Sequence, residues 1–296
     1  ADNAGYDWGK PVEPDPDYAA LTAGAATRVP LFELVFHDCH VSSWYTGDGM
    51  TKVPALWDAK DLLNLLYGTM PLWMPDAALW KKYRDRFLAS YHTVNAVSEA
   101  VGGAAMTSHG FLTPDRLVQR TEFSSGHVVT ANFGERDYVL TGADGKKRTL
   151  PRYGFLASGP GLDAWRLRVA GRTVTRVETA AKIYLDPGAK PWGEGSLRSD
   201  GPVVAFRTPA GARLVTLGAV THVRLDRPAF LPELVRDVAV SGTVSIYDLA
   251  SPGPAAGSTP GRGRKPFGVA QGRASPRPKH GVCARPREFL QISDIS

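Results

Sequence analysis

Apolar residues change their spacing along this chain, and each change marks a different kind of element. Leu31 to Phe36 is a short apolar run broken only by Glu33, bounded by Pro30, and it predicts a buried strand. The run ends in His37-Asp38-Cys39-His40 and then a loop holding Trp44, Tyr45, Gly47, Asp48 and Gly49. Leu62, Leu63, Leu65 and Leu66, with Trp57 one turn earlier, predict a helix over 55–67 that Gly68 and Pro71 stop. From Asp76, a good N-cap, the residues Leu79, Tyr83, Phe87, Tyr91, Val94, Val97 and Val101 recur by threes and fours. They mark one face of a second helix, ended by Gly102-Gly103. From about Thr113 the period becomes two. Segments 120–123 and 127–133 flank Ser124-Ser125-Gly126, 137–140 and 147–156 flank a Gly-rich turn at 142–145, and 164–169 and 173–177 flank Ala170-Gly171-Arg172. These are three hairpins. Further strands are predicted at 181–185, 203–207, 213–217, 220–225 and 238–247. Short strands in this rhythm predict an antiparallel β-sandwich.

Composition changes the picture mainly at the C-terminus. Residues 251–296 hold seven Pro and seven Gly, too little apolar content to offset ordering, and are predicted to be disordered. Eight Lys/Arg and two acidic residues fall there, so this tail carries the whole net charge of +6. The first 250 residues balance at 27 basic and 27 acidic, which gives the folded part no bias towards polyanions. The two cysteines, Cys39 and Cys283, form neither a metal-ligand spacing nor a disulfide framework, and Cys39 is expected to be buried. No apolar run reaches the length of a membrane span, and the first residues lack the layout of a signal peptide. With Pro11, Pro14 and Pro16, residues 1–28 read as irregular. Tyr6, Asp7, Trp8 and Gly9 fit either a site loop or a loose end.

The run Pro30-Leu31-Phe32-Glu33-Leu34-Val35-Phe36-His37-Asp38 resembles the last barrel strand of bacterial glycoside hydrolases related to families 101 and 129. The likeness continues in Asp58-Ala59-Lys60-Asp61-Leu62-Leu63-Asn64 and Tyr67-Gly68-Thr69. It returns in 112–121 and in Val128-Val129-Thr130-Ala131-Asn132-Phe133-Gly134, and weakens after about residue 170. The resemblance implies that 1–112 are the C-terminal part of a (β/α)8 barrel; with the antiparallel β-sandwich read from the strand rhythm over 113–250 and the tail over 251–296, which looks unlike the family's C-terminal strands, the expected class is α+β. It implies hydrolysis of O-glycosidic bonds, of α-N-acetylgalactosaminides in those families, by a retaining mechanism whose carboxyl groups stand about 5–5.5 Å apart. The nucleophile Asp and acid Glu would sit on middle strands, upstream of residue 1. A whole barrel takes about 250 residues, so this chain is expected to lack the pair and not to hydrolyse glycosides by itself.

What remains is a binding wall. Asp38 would accept hydrogen bonds from sugar hydroxyls, and His37 would donate one or orient Asp38. Trp44 and Tyr45 would stack on a pyranose, and Asp48, between two glycines, is a contact or a turn residue. The plainer reading is a strand end with a solvated His-Asp pair and packing aromatics. No P-loop, dinucleotide fingerprint, HExxH or nucleophile elbow occurs, and no cofactor or metal is expected. His92, His109, His127, His222 and His280 lack partners at metal spacing and read as structural or exposed. The expected partner is a carbohydrate, not nucleic acid or membrane. Rival readings are a non-catalytic carbohydrate-binding or structural β module, and nucleic-acid binding through the tail.

Overall fold

A computed structural model describes residues 16–44, 53–73, 75–142, 144–240 and 244–250. All of them belong to one compact unit, Ala1–Gly253. The predicted tail and the Tyr6–Gly9 motif lie outside the described residues. Two short helices come first, α1 (Pro16–Ala23) and α2 (Leu31–Phe36). The second corrects the expectation of a buried strand at 31–36. Here Leu34 N donates to Pro30 O at 2.9 Å and His37 N to Glu33 O at 3.1 Å, so the segment satisfies its backbone internally. A strand would need a hydrogen-bonded neighbour, and among the described residues 31–36 pair with no strand. The helix is not buried either: Leu31 is 69% and Val35 65% exposed. Cys39, expected to be buried, is exposed for the same reason, since it follows an exposed helix.

Parallel pairing occurs just downstream. β1 (Ser43–Trp44) and β2 (Met70–Pro71) run parallel, with Ser43 opposite Met70 and Trp44 opposite Pro71. Helix α3 (Trp57–Tyr67) makes the crossover between them. It is entered through a 3-10 turn, Pro54–Leu56, and ends on Gly68 at φ 68°, the left-handed cap that its sequence predicts. Helix α4 (Ala77–Val101) starts as predicted: the Asp76 carboxylate accepts from Leu79 N at 2.7 Å. It bends at Tyr83 (φ −119°, ψ 15°), and Phe87, Val94, Val97 and Val101 are buried while Tyr91 is exposed.

The rest is antiparallel. The ten-stranded sheet begins with β3 (Met106–Phe111), β4 (Val118–Phe123) and β5 (Val128–Asn132). A separate hairpin, β6 (Tyr138–Thr141) with β7 (Lys147–Leu150), interrupts it. It resumes with β8 (Phe155–Gly159), β9 (Leu162–Val169), β10 (Arg172–Thr179) and β11 (Lys182–Asp186). After β12 (Trp192–Glu194) and β13 (Leu197–Ser199) come β14 (Val203–Thr208) and β15 (Gly211–Thr216). Next are β16 (His222–Asp226), β17 (Val235–Ala239) and β18 (Ile246–Ala250). The large sheet has the order β18-β15-β14-β11-β10-β9-β8-β5-β4-β3, and the smaller one β12-β13-β16-β17.

The fold is therefore mixed α+β with mostly antiparallel sheets, and among the described residues no (β/α)8 barrel forms. The single strand predicted at 238–247 is also corrected: β17 and β18 belong to different sheets. The large sheet separates two cores. Val177, Tyr184 and Val204 share one core with Leu62, Leu65, Val94 and Val97 of the helices. Val174, Ile183, Leu185, Val203 and Ala205 face the other way and share a core with Leu197, Val223 and Leu225 of the smaller sheet. Adjacent residues of β11 and β14 thus go to opposite cores, which is why these strands read as unbroken apolar runs. Each fully buried leucine contributes about 2 kcal/mol.

Candidate functional site

The parallel pair is the place to look for a site, because ligands collect beyond the C-terminal ends of parallel strands. Met70 N donates to Ser42 O at 3.1 Å and fixes the two strands together. β1 ends at Trp44, and β2 is followed by Leu72 and Trp73. Trp73 packs edge-on against Phe87, with centroids 5.9 Å apart. Tyr45 and Asp48 lie outside the described residues, and Trp44 is described only through its backbone on β1.

His37 and Asp38 are adjacent in sequence and occupy opposite environments. His37 is 6% exposed, and its Nδ1 donates to the carbonyl of Ala104 at 2.6 Å. Its ring packs on Phe123, with centroids 5.1 Å apart. A Cβ on Gly68 would stand 2.5 Å from His37 Nε2, so the glycine leaves room for the ring. His37 thereby bolts α2 to the turn between α4 and β3. A cavity of about 30 Å³ beside it, bordered by Ser42, Thr69 and Ser98, has the size for one water and not for a sugar ring. Asp38 faces solvent, and its carboxylate has no hydrogen-bond or ion-pair partner among the described residues.

A second set of ionisable groups follows one face of α3, where Asp58, Asp61 and Asn64 recur every third residue. Asp58 accepts from Arg86 Nη2 at 2.8 Å, and Arg166 Nη1 stands 3.9 Å from its other oxygen. Asp61 is 5% exposed and accepts from Ser90 Oγ at 2.6 Å. Burial pushes its carboxyl up to about 7, against the opposing pull of the Ser90 hydroxyl and the Arg166 charge. Asn64 accepts from Thr69 Oγ1 at 2.8 Å. A carboxyl poised near neutrality has the chemistry of an acid–base group. Asp61, however, is enclosed between α3 and α4, where it ties the two helices together. Sequence reasoning quoted this row without assigning it a role. The available signal was two aspartates and an asparagine at every third position of a helix otherwise rich in leucine.

Among the described residues, no group of three or more His, Cys, Asp or Glu could hold a metal ion. The histidines are engaged one by one: His92 stacks on Tyr184 at 5.1 Å, and His127 pairs with Ser125 Oγ at 2.8 Å. No helix among the described residues is long and apolar enough to cross a membrane.

Residues 2–122 match the family model described as glycosyl hydrolases related to GH101 family, GH129. This stretch is related to the glycoside hydrolases. No curated protein matches the chain. The glycoside-hydrolase-related stretch contains α1 to α4, the parallel pair, β3 and all of β4 but its last residue. It therefore includes His37, Asp38, Trp44, Tyr45 and Asp48, together with the Asp58–Asp61 row. Strands β5 to β18, and the whole smaller sheet, lie outside it.

Proposed function

We propose that this chain is the C-terminal portion of a retaining glycoside hydrolase acting on α-linked N-acetylgalactosaminides. In this reading 1–112 close its catalytic domain and 113–250 form an antiparallel β-sandwich beside it. The observation that carries the proposal is the match of residues 2–122 to a glycosyl hydrolase family. The β1–α3–β2 crossover and the exposed carboxylate of Asp38, which has no partner among the described residues, support it. Asp38 accepts sugar hydroxyls, while Trp44 and Tyr45 offer aromatic faces to the ring. Asp48 is a further sugar contact in this reading, and His37 ties the end of α2 to the turn after α4. The nucleophile and the acid come from parts of the catalytic domain other than these residues. The β module outside the match favours one second reading, a carbohydrate-binding or structural module without catalysis.

Titration of residues 1–296 with 4-nitrophenyl α-N-acetylgalactosaminide, followed by saturation-transfer NMR, tests the binding role. Asp38→Asn is expected to weaken binding about tenfold or more, the worth of a hydrogen bond to a charged acceptor. Absence of binding by the unaltered chain, or equal affinity in the variant, would remove Asp38 from the site.

A further inference from the structure

A cleft lies outside the glycosyl-hydrolase match, on the smaller sheet. It encloses about 400 Å³ and is lined by Pro191, Trp192, Gly193, Arg198, Asp200 and His222, together with Ser199. Small-molecule sites commonly span about 300–1,000 Å³. We infer that this cleft binds a pyranoside carrying a carboxylate. The inference rests on the carbohydrate reading above only for the choice of a sugar.

Four features argue for that ligand. Trp192 is half-buried, and its ring is held edge-to-face against Trp165, with centroids 5.5 Å apart and planes at 88°. A positioned indole suits the C–H face of a pyranose, as aromatic surfaces join apolar area to a defined orientation. Arg198 faces Gly193 across the β12–β13 pair. A Cβ on Gly193 would stand 2.2 Å from Arg198 Cγ, so the arginine stem lies across the bare glycine into the cleft. Its guanidinium is exposed and has no hydrogen-bond or ion-pair partner among the described residues, which leaves a planar fork matched to a carboxylate. Asp200 is a fixed acceptor: it accepts from Thr221 N at 2.9 Å, from His222 N at 3.2 Å and from the Thr221 hydroxyl. Thr221 N also reaches its second oxygen at 3.2 Å, so each oxygen accepts two hydrogen bonds and Asp200 serves to fix this wall of the cleft. Finally, Arg172 Nη2 donates to Pro191 O at 2.7 Å, which anchors one rim and adds a second positive charge.

The sign of the ligand follows from these charges. Neither Arg198 nor Arg172 has a carboxylate partner among the described residues, while His222 stands 3.4 Å from Asp237 and Arg224 is paired with Asp237 at 2.7 Å. Asp200 just after β13, with Asp226 and Asp237 on the sheet, repels a polyanion but leaves room for one anionic group.

Methyl β-glucuronide and methyl β-glucoside form a matched pair of probes for the full chain, differing in the carboxylate. The glucuronide is expected to bind in the millimolar range, on the order of a 1 mM Kd, and about tenfold more tightly than the glucoside. Arg198→Gln, at an exposed position, should abolish this preference and leave glucoside affinity within about twofold. Trp192→Ala should weaken both sugars about tenfold or more. No binding of either probe, equal binding of both, or unchanged affinities in Arg198→Gln would overturn the inference. Asp38→Asn should leave glucuronide binding untouched, so failure here and failure of the Asp38 site are read separately.

Discussion

Asn132→Asp is expected to destabilise the chain by about 3–5 kcal/mol, although it exchanges one amide for an oxygen of nearly the same size. Asn132 is 1% exposed at the end of β5. Its Nδ2 donates to three carbonyls, Arg136 O at 2.9 Å, Leu150 O at 3.0 Å and Pro151 O at 3.1 Å. Its Oδ1 accepts from Gly134 N at 2.9 Å. Its backbone N donates to Gly154 O at 2.9 Å, and its carbonyl accepts from Tyr153 N at 2.8 Å. One side chain thus closes the loop around the β6–β7 hairpin. Aspartate would set an acceptor against three acceptors and place a charge where water does not reach. For a folded unit of this size, about 2–4 °C are lost per kcal/mol, so Tm should fall by about 6–20 °C. Asn132→Ala, which leaves the carbonyls unpaired without adding charge, should cost less, about 2–3 kcal/mol. Calorimetry of both variants checks this, and an Asp variant within about 1 kcal/mol of the parent would refute the role given to Asn132.

Asp61→Asn is expected to act in the opposite direction, and only above mildly acidic pH. Burial lifts the Asp61 carboxyl to about 7 in the folded chain, against about 3.9 when unfolded. The folded state therefore holds the proton more tightly. Its contribution to stability is complete below about pH 4, is lost as pH rises towards 7, and stays flat above that. A neutral amide still accepts from Ser90 and carries no desolvated charge. The variant should match the parent near pH 4 and exceed it by about 2–4 kcal/mol at pH 8. His92, which burial holds down at about 4 with help from the Lys182 charge, slopes the other way between about pH 6.5 and 4. It is common to both proteins and cancels in their difference. Urea unfolding at pH 4, 5.5 and 8 gives that difference, and a gap that does not grow with pH would refute the linkage.

What could be read in the sequence is what local chemistry decides. Asp76 and Gly68 marked helix ends because a cap is satisfied by its own few neighbours. The turn at Ser124-Ser125-Gly126 was legible because Gly126 takes φ 82°, which few other residues accept. Leu31–Phe36 reads as a strand in sequence because six residues, five of them apolar, carry no period long enough to tell strand from helix. Its outcome depends on whether a neighbouring strand exists, and that is a tertiary fact. Segment 238–247 failed for a related reason: alternation persists across the break, while β17 and β18 pair with different sheets. Strands β12 and β13 have three residues each, too few to show alternation, so the cleft with Trp192 and Arg198 was invisible beforehand. Of the candidate site, the separation of His37 from Asp38 emerged only with α2, whose course buries one and exposes the other.

A turnover assay on purified residues 1–296 tests the central claim most directly. The chain is proposed to contribute a sugar-contacting wall to a glycoside hydrolase, without the carboxyl pair that performs the chemistry. Loss of even one member of such a cooperating pair typically costs about three or more orders of magnitude in rate. The expected result with 4-nitrophenyl α-N-acetylgalactosaminide is binding without release of nitrophenol above the uncatalysed rate. Release that disappears in Asp38→Asn, with the circular dichroism of the fold retained, would contradict the claim and make Asp38 a catalytic residue.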